Sequence, residues 1–311
     1  MNNNLIFVAL STFSEKDNGP LNLLKSSGIK YKIHNSGKRI TKQELLDDAL
    51  DATIIIAGVE IYDKELLNKL TNLKYIVRCG VGIDNIDLDY ANEKGIKILN
   101  TPDVPSLAVA ELALSMFLML SRNLLLQANL MADKKWVRVE SHLLSNKNLG
   151  IFGYGRIGKK VIELCKPFGL NIYVCDPFYN SDNTIEENIK FVSKNELLNK
   201  ADIISIHASN TTPGTYLLDE SDFNLMKKGV LIVNLSRGGM INEEALYAAL
   251  NTGQIAGAGL DVFEKEPYDG KLCELQNVIL TPHSATSTLE TRTAMENECV
   301  EKSIMAATQN I

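Results

Sequence analysis

Gly153-Tyr154-Gly155-Arg156-Ile157-Gly158 is a glycine-spaced hexapeptide between an apolar run, Asn148–Phe152, and a helix-like stretch through Cys165. That context fits a turn that cradles a pyrophosphate. Gly153 permits the tight turn. Gly155 leaves room for the phosphates, because any Cβ there would obstruct them, and Gly158 lets helix and strand pack closely. The amides of Arg156 and Ile157 fall at a helix N-terminus, where unpaired N–H groups and the helix dipole favour an anion. A second apolar run, Asn171–Cys175, ends at Asp176, 18 positions after Gly158. A carboxylate there accepts hydrogen bonds from the adenosine ribose and repels a 2′-phosphate, so the expected cofactor is NAD over NADP.

Three further polar residues follow apolar runs in the same half of the chain. Arg237 follows Val230–Asn234, Glu266 lies just beyond the run ending at Asp261, and His283 follows Asn277–Leu280. Ligands of open parallel sheets bind beyond the carboxyl ends of strands, so all three are expected near the nicotinamide end of a dinucleotide. Hydride transfer to or from C2 of a 2-hydroxy acid requires a proton to join or leave the oxygen, and an imidazole does this near neutral pH. Glu266 would orient the ring and stabilise its cation. The planar guanidinium of Arg237 suits a carboxylate or a polarised carbonyl oxygen. His207 also stands after an apolar run, whereas His34 and His142 have no comparable context and read as structural.

The elements that must position these groups alternate between β-branched runs and helical patterns, the signature of an α/β protein with parallel sheets. In the first third the spacing predicts strands at Leu5–Leu10, Thr53–Ala57, Tyr75–Arg78 and Ile96–Leu99. Thr41 with Glu44 reads as a capping box opening a helix through Leu50. Asp63 starts another helix, and Gly95 ends one around Leu88–Lys94. Residues 105–131 read as one long helix leaving the first domain. The second series predicts strands at Asn148–Phe152, Asn171–Cys175, Ile203–His207, Val230–Asn234, Ala256–Leu260 and Asn277–Leu280. Helices are expected near 156–166, 194–200, 219–228 and 242–251, with a helical tail over 284–308.

Composition narrows the function classes. The 311 residues carry 32 Lys plus Arg against 38 Asp plus Glu, a formal charge of −6. That balance argues against a sequence-independent grip on nucleic acid and against polybasic membrane binding. Leu107–Leu126 is the longest apolar stretch, but Glu111 and Arg122 interrupt it, which favours a buried or interface helix over a membrane span. Five scattered cysteines without C-x-x-C spacing read as free thiols in a reducing, cytoplasmic compartment, with no metal site. Asn2–Asn4 and the short run after them do not make a signal peptide.

Taken together, the motifs resemble the D-isomer-specific 2-hydroxyacid dehydrogenase family over nearly the whole chain. They are Gly80-Val81-Gly82-Ile83-Asp84-Asn85-Ile86-Asp87, Asn100-Thr101-Pro102, Val109-Ala110-Glu111, Gly153–Gly158, Asp176, Ser236-Arg237-Gly238, Asp261 through Pro267, and Thr281-Pro282-His283. The resemblance implies two doubly wound parallel-sheet domains, a Rossmann NAD domain (100–283) inserted in a flavodoxin-like substrate domain (1–99 plus 284–311). It implies Arg237, Glu266 and His283 as the catalytic set. Arg237 and the backbone amides of Val81 and Gly82 would bind the substrate. Asp261 would meet the nicotinamide carboxamide, Leu235 and Ser236 would line that ring, and Ala208 and Ser209 would sit in the loop over the adenine. The family's homodimer contact, through the cofactor domain, suits the apolar helix 105–131.

Two departures stand out. Ala208-Ser209-Asn210-Thr211 replaces the family's usual Val-Pro-Leu-Thr. The motifs look most like the 3-phosphoglycerate dehydrogenase branch, yet Glu60 follows the strand Thr53–Ala57, where phosphate-binding members often place Arg, and its charge would repel a phosphate. Either Lys74 and Arg78 compensate or the substrate lacks a phosphate. The chain reaches only Ile311, so no C-terminal regulatory domain is expected. A small D-2-hydroxy acid or 2-keto acid is the leading substrate class. The alternatives are 3-phosphoglycerate specifically, or a dinucleotide-sensing, corepressor-like binding role.

Overall fold

The computed structural model describes residues 4–34, 36–179, 188–208 and 214–308. In chain order the elements are β1 (Leu5–Val8), α1 (Gly19–Ser26), β2 (Lys30–Ile33), α2 (Lys42–Ala49), β3 (Ile54–Ala57), α3 (Lys64–Lys69), β4 (Tyr75–Arg78), α4 (Leu88–Glu93), β5 (Lys97–Asn100), α5 (Pro105–Ser121) and α6 (Leu124–Ala132). They continue with β6 (Asn148–Phe152), α7 (Arg156–Cys165), β7 (Asn171–Cys175), β8 (Ile189–Phe191), α8 (Lys194–Lys200), β9 (Ile203–Ile206), α9 (Glu220–Leu225), β10 (Val230–Asn234), α10 (Glu243–Thr252), β11 (Ile255–Leu260), β12 (Val278–Leu280) and α11 (Leu289–Ala307). The chain divides into two units, Met1–Pro105 with Thr286–Ile311, and Ser106–Ala285.

The first unit is a parallel sheet of order β2-β1-β3-β4-β5. Its central strands are apolar on both faces because helices cover both. Ile54, Ile55 and Ile56 are all buried, and two separate apolar clusters lie on the two faces. The start signals act as their chemistry dictates. Thr41 accepts from Glu44 N while Glu44 accepts from Thr41 N at 2.7 Å, closing the capping box on α2. Asp63 and Asp87 cap α3 and α4. The cluster on the other face is completed by α11, which packs on α1, β3 and β4 and contributes Met295, Cys299 and Val300.

The second unit is a parallel sheet of order β12-β11-β10-β9-β6-β7-β8. The chain runs outward from β6 to β8, then returns to β9 beside β6 and continues to β12. The β6/β9 boundary is therefore the switch point, where the loops at the strand ends part and a crevice forms.

Several expectations are corrected. Residues 105–131 are not one helix: α5 and α6 meet at a 64° bend at Asn123, whose φ is +47°. Asn tolerates this left-handed conformation better than most residues. Two edge strands, β2 and β8, and the helix α1 were not expected. The two units divide after Pro105 and after Ala285. Thr101 exchanges hydrogen bonds with Gly80, and Lys302 donates to Asn100 O, which holds residues 100–101 in the first unit. Asp261 accepts from the amides of Ser284 and Ala285, which holds those two in the second.

Candidate active site

The glycine-rich turn joins β6 to α7 at the switch point, and its three glycines are required for three different reasons. Gly153 has φ +95°, and a Cβ there would lie 2.8 Å from the backbone of His207 and Ala208 at the end of β9. A Cβ at Gly158 would overlap the carbonyl oxygen of Gly153, so helix and turn touch directly. At Gly155 a Cβ would meet nothing within 4 Å. The chain itself does not need glycine there, so the open space over the first turn of α7 is where an anion fits. Gly155 is also the N-cap of α7 and offers no side chain to its first amides. Arg156 and Ile157 begin the helix at that opening.

Asp176 follows β7, and backbone amides engage both of its carboxylate oxygens. Its Oδ2 accepts from Tyr154 N at 2.7 Å and its Oδ1 from Phe178 N at 2.9 Å. Each carboxylate oxygen has a second lone pair for a ligand hydroxyl. Across the switch point, His207 N donates to Phe152 O at 2.7 Å. The His207 Nε2 lies 2.8 Å from Ser205 Oγ, and its Nδ1 is buried with no partner among the described residues. Burial pushes this imidazole down to about 4, so it is neutral at physiological pH. Ala208 is half-buried beside Gly153. Ser209, expected to contact the cofactor, lies outside the described residues.

The loops after β10, β11 and β12 come together at the carboxyl edge of this sheet. Asn234, 2 % exposed, braces the first loop. Its Oδ1 accepts from Ser236 N (3.1 Å) and Ser236 Oγ (2.8 Å), and its Nδ2 donates to Arg237 O (2.9 Å). Gly238 lies so close to Phe263 O that any Cβ would overlap it, which sets the Arg237 loop against the one bearing Glu266. Arg237 is half-buried, with Nη1 donating to Ser236 O at 2.7 Å. Glu266, which precedes a cis peptide to Pro267, accepts from Phe263 N at 3.2 Å through Oε1. Its Oε2 lies 2.9 Å from His283 Nδ1. An ionised carboxylate only accepts hydrogen bonds, so Nδ1 carries the proton and Nε2 is left for a reacting group.

Asp261 braces the loop that carries His283. It is wholly buried, and both carboxylate oxygens are taken up by the loop that carries His283. Thr281 Oγ1 donates at 2.6 Å, Ser284 N at 2.7 Å and Ala285 N at 2.9 Å. Leu235 is likewise buried, and Ser236 is half-buried beneath Asn234's grip. Asn234 and the anchoring role of Asp261 were missed from sequence, the first because an Asn at a strand end carries no motif of its own.

Val81 and Gly82 belong to the first unit, in the loop after β4. The Glu60 side chain is 6 % exposed, and its Oε1 accepts from Gly58 N (2.8 Å) and Tyr62 OH (2.7 Å). It acts as an internal brace of its loop and does not reach outward as expected. Burial and this carboxylate together push the Tyr62 hydroxyl well above its usual range. Among the described residues no group of His, Cys, Asp and Glu could hold a metal ion.

A glycine-cradled helix start and an acidic residue closing the next strand make the pattern of a dinucleotide-binding unit, with a histidine–carboxylate pair at the same carboxyl edge of its sheet. Residues 114–285 match the family model described as "D-isomer specific 2-hydroxyacid dehydrogenase, NAD binding domain", and the chain belongs to that family. The D-3-phosphoglycerate dehydrogenase of Methanocaldococcus jannaschii is 40% identical over 82% of this chain and 50% of its own length. This chain therefore spans about half the length of that relative. The hydroxypyruvate reductase of Thermotoga maritima is 34% identical over 88% of this chain and 90% of its own. Among solved structures, the TT0316 protein of Thermus thermophilus superposes with a TM-score of 0.87 at 30% identity, covering 98% of this chain and 97% of its own.

Proposed function

We propose that this chain is an NAD-dependent oxidoreductase acting on a small D-2-hydroxy acid or its 2-keto acid. The observation that carries the reading is the 2.9 Å pair of His283 and Glu266 at the same sheet edge as the open cradle over Gly155. NAD would be held by the turn Gly153–Gly158, by Asp176 at the ribose, and by Ala208, Ser209, Leu235 and Ser236. The nicotinamide supplies or accepts the hydride at C2. His283 Nε2 takes the hydroxyl proton in oxidation and returns it in reduction, while Glu266 fixes the ring's tautomer and stabilises its cation. Arg237 binds the substrate carboxylate and polarises the carbonyl oxygen, and the amides of Val81 and Gly82 take the carboxylate.

An unphosphorylated substrate is favoured by the loop after β3. Its exposed side chains are Val59 and Ile61, at 53% and 63% exposure, and its acidic residue Glu60 is buried beneath them. Arg39 donates to Val59 O. A second reading, oxidation of 3-phosphoglycerate, is favoured by the 40% identity to the archaeal relative. Initial rates with NADH against glyoxylate, hydroxypyruvate, pyruvate and 3-phosphohydroxypyruvate separate the two. A preference for the phosphorylated acid would overturn the first reading, and no turnover of any 2-keto acid would overturn both.

We further infer a homodimer through α5 and α6. No residue of α6 is buried, and Leu124, Met131, Trp136 and Leu143 are 45%, 53%, 83% and 71% exposed. A patch of this kind on a charged surface marks an interaction site. The five unpaired cysteines support a reducing, cytoplasmic setting. Among the described residues no single helix is long and apolar enough to cross a membrane.

A further inference from the structure

After β4 the first unit passes through Cys79-Gly80-Val81-Gly82, and each of three successive carbonyls is engaged by a donor. Arg78 Nη1 donates to Cys79 O, Thr101 N to Gly80 O at 3.2 Å, and Asn100 Nδ2 to Val81 O at 2.7 Å. The amide of Gly80 is engaged too, donating to Thr101 Oγ1 at 2.8 Å. Gly80 itself has φ +138°, and the Arg78 guanidinium occupies the place a Cβ would take.

A trans peptide is planar, with its C=O and N–H pointing in opposite directions. The N–H of Val81 shares a plane with Gly80 O, and the N–H of Gly82 shares one with Val81 O. Both oxygens are held toward the Asn100–Thr101 segment, so both N–H groups face away from it. Neither amide has an intramolecular acceptor among the described residues. Val81 is exposed and Gly82 half-exposed. Two successive outward amides make a small anion-binding concavity.

The anchor is itself anchored. Asn100 ends β5, and its main-chain oxygen accepts from Lys302 Nζ at 2.5 Å. Lys302, on α11, is paired with Glu298 at 2.6 Å. The side-chain amide of Asn100 is thus presented to Val81 O from a fixed backbone.

We propose that Asn100 is a positioning residue for the substrate carboxylate: its Nδ2, working with Thr101, sets the peptide planes of the Gly80–Gly82 loop so that the Val81 and Gly82 amides face one carboxylate. The proposal rests on the assignment of those two amides to the carboxylate made above. Thr101 sets the first plane and Asn100 the second. Asn100→Asp keeps the shape but replaces the donor with an acceptor that repels Val81 O. Asn100→Ser withdraws the group from reach.

The test uses the full chain with NADH, glyoxylate as substrate and oxamate as an unreactive carboxylate probe. In Asn100→Asp and Asn100→Ser the KM for glyoxylate rises about five- to tenfold, the equivalent of one lost hydrogen bond, while kcat and the Kd for NADH stay within about twofold. In the wild type, oxamate shifts the 15N-amide resonances of Val81 and Gly82, and in both variants the same shifts need correspondingly more oxamate. If those wild-type amides respond but the variants keep the wild-type KM and titration, the positioning role is wrong and the carboxylate site stands. A fall in kcat at unchanged KM overturns the role as well. If oxamate inhibits turnover without moving either wild-type amide, the carboxylate assignment falls and the proposal with it. Melting temperatures of both variants show which is folded, and the serine form carries the same reading if the aspartate form is not.

Discussion

His283 has φ +51°, a left-handed backbone that few non-glycine residues adopt. Such conformations persist where the surroundings over-determine them. Here the surroundings are the Asp261 carboxylate and the Thr281 carbonyl, which accepts His283 N at 3.0 Å. The ring's direction is thereby set by backbone contacts, and its tautomer by Glu266. His283→Ala removes the proton carrier and leaves the cradle intact. We expect kcat to fall by about 10²–10⁴-fold with the Kd for NADH, read by fluorescence titration, unchanged. Survival of turnover within a few-fold would reject the acid–base assignment. Asp176→Ala removes a charged acceptor from Tyr154 N and, in the proposed function, from the ribose. Its NADH affinity should drop about tenfold or more, with discrimination against NADPH relaxed. An unaltered NADH-to-NADPH preference in the same titration would refute the ribose role.

At the scale of elements, the turn between β6 and α7 separates two kinds of glycine. Gly158→Ala drives a Cβ into the Gly153 carbonyl, and overpacking of rigid backbone costs about 3 kcal/mol or more. Gly155→Ala meets open space, so chemical denaturation should place its stability within about 1 kcal/mol of wild type. Its NADH affinity should nevertheless fall about tenfold or more, because the methyl stands where the phosphates lie. The strands and the turn were legible in the sequence because buried parallel strands read as β-branched runs and the glycine spacing is dictated by backbone approach. The edge strand β2, Lys30-Tyr31-Lys32-Ile33, was not, since its alternating lysines mimic a surface loop and only one neighbour pairs with it. The break at Asn123 was hidden because it sits in an apolar run with neither Gly nor Pro. The catalytic candidates were visible as polar residues at strand ends. Asn234 was not, and Asn100 stood in a motif without a role, because each works by hydrogen bonding to backbone that only the folded loops bring within reach.

For the whole molecule, acid stability follows from the half-buried His207, whose Nδ1 is enclosed. Its folded value of about 4 lies below the ordinary 6.5, so the unfolded chain binds more protons between those limits. The contribution is complete above pH 6.5 and is lost as pH falls toward 4, roughly 1–3 kcal/mol in all. His207→Leu should flatten the stability profile in that window, and an unchanged slope in urea titrations would contradict it. Association belongs to this scale too. Sedimentation should give a dimer for the wild type and a monomer for Met131→Glu combined with Trp136→Glu. A monomeric wild type would reject the interface on α5 and α6.

The division into one continuous and one discontinuous unit orders events at the ribosome. Residues 106–285 form a contiguous segment that can close its own sheet while translation proceeds. The opening 105 residues cannot, because the apolar face of β1, β3 and β4, partly covered by Leu24 of α1, is completed by α11, which follows residue 285. At about 5–20 residues per second that face waits roughly 10–35 s in nascent form. The part of the chain made first is therefore the part that matures last.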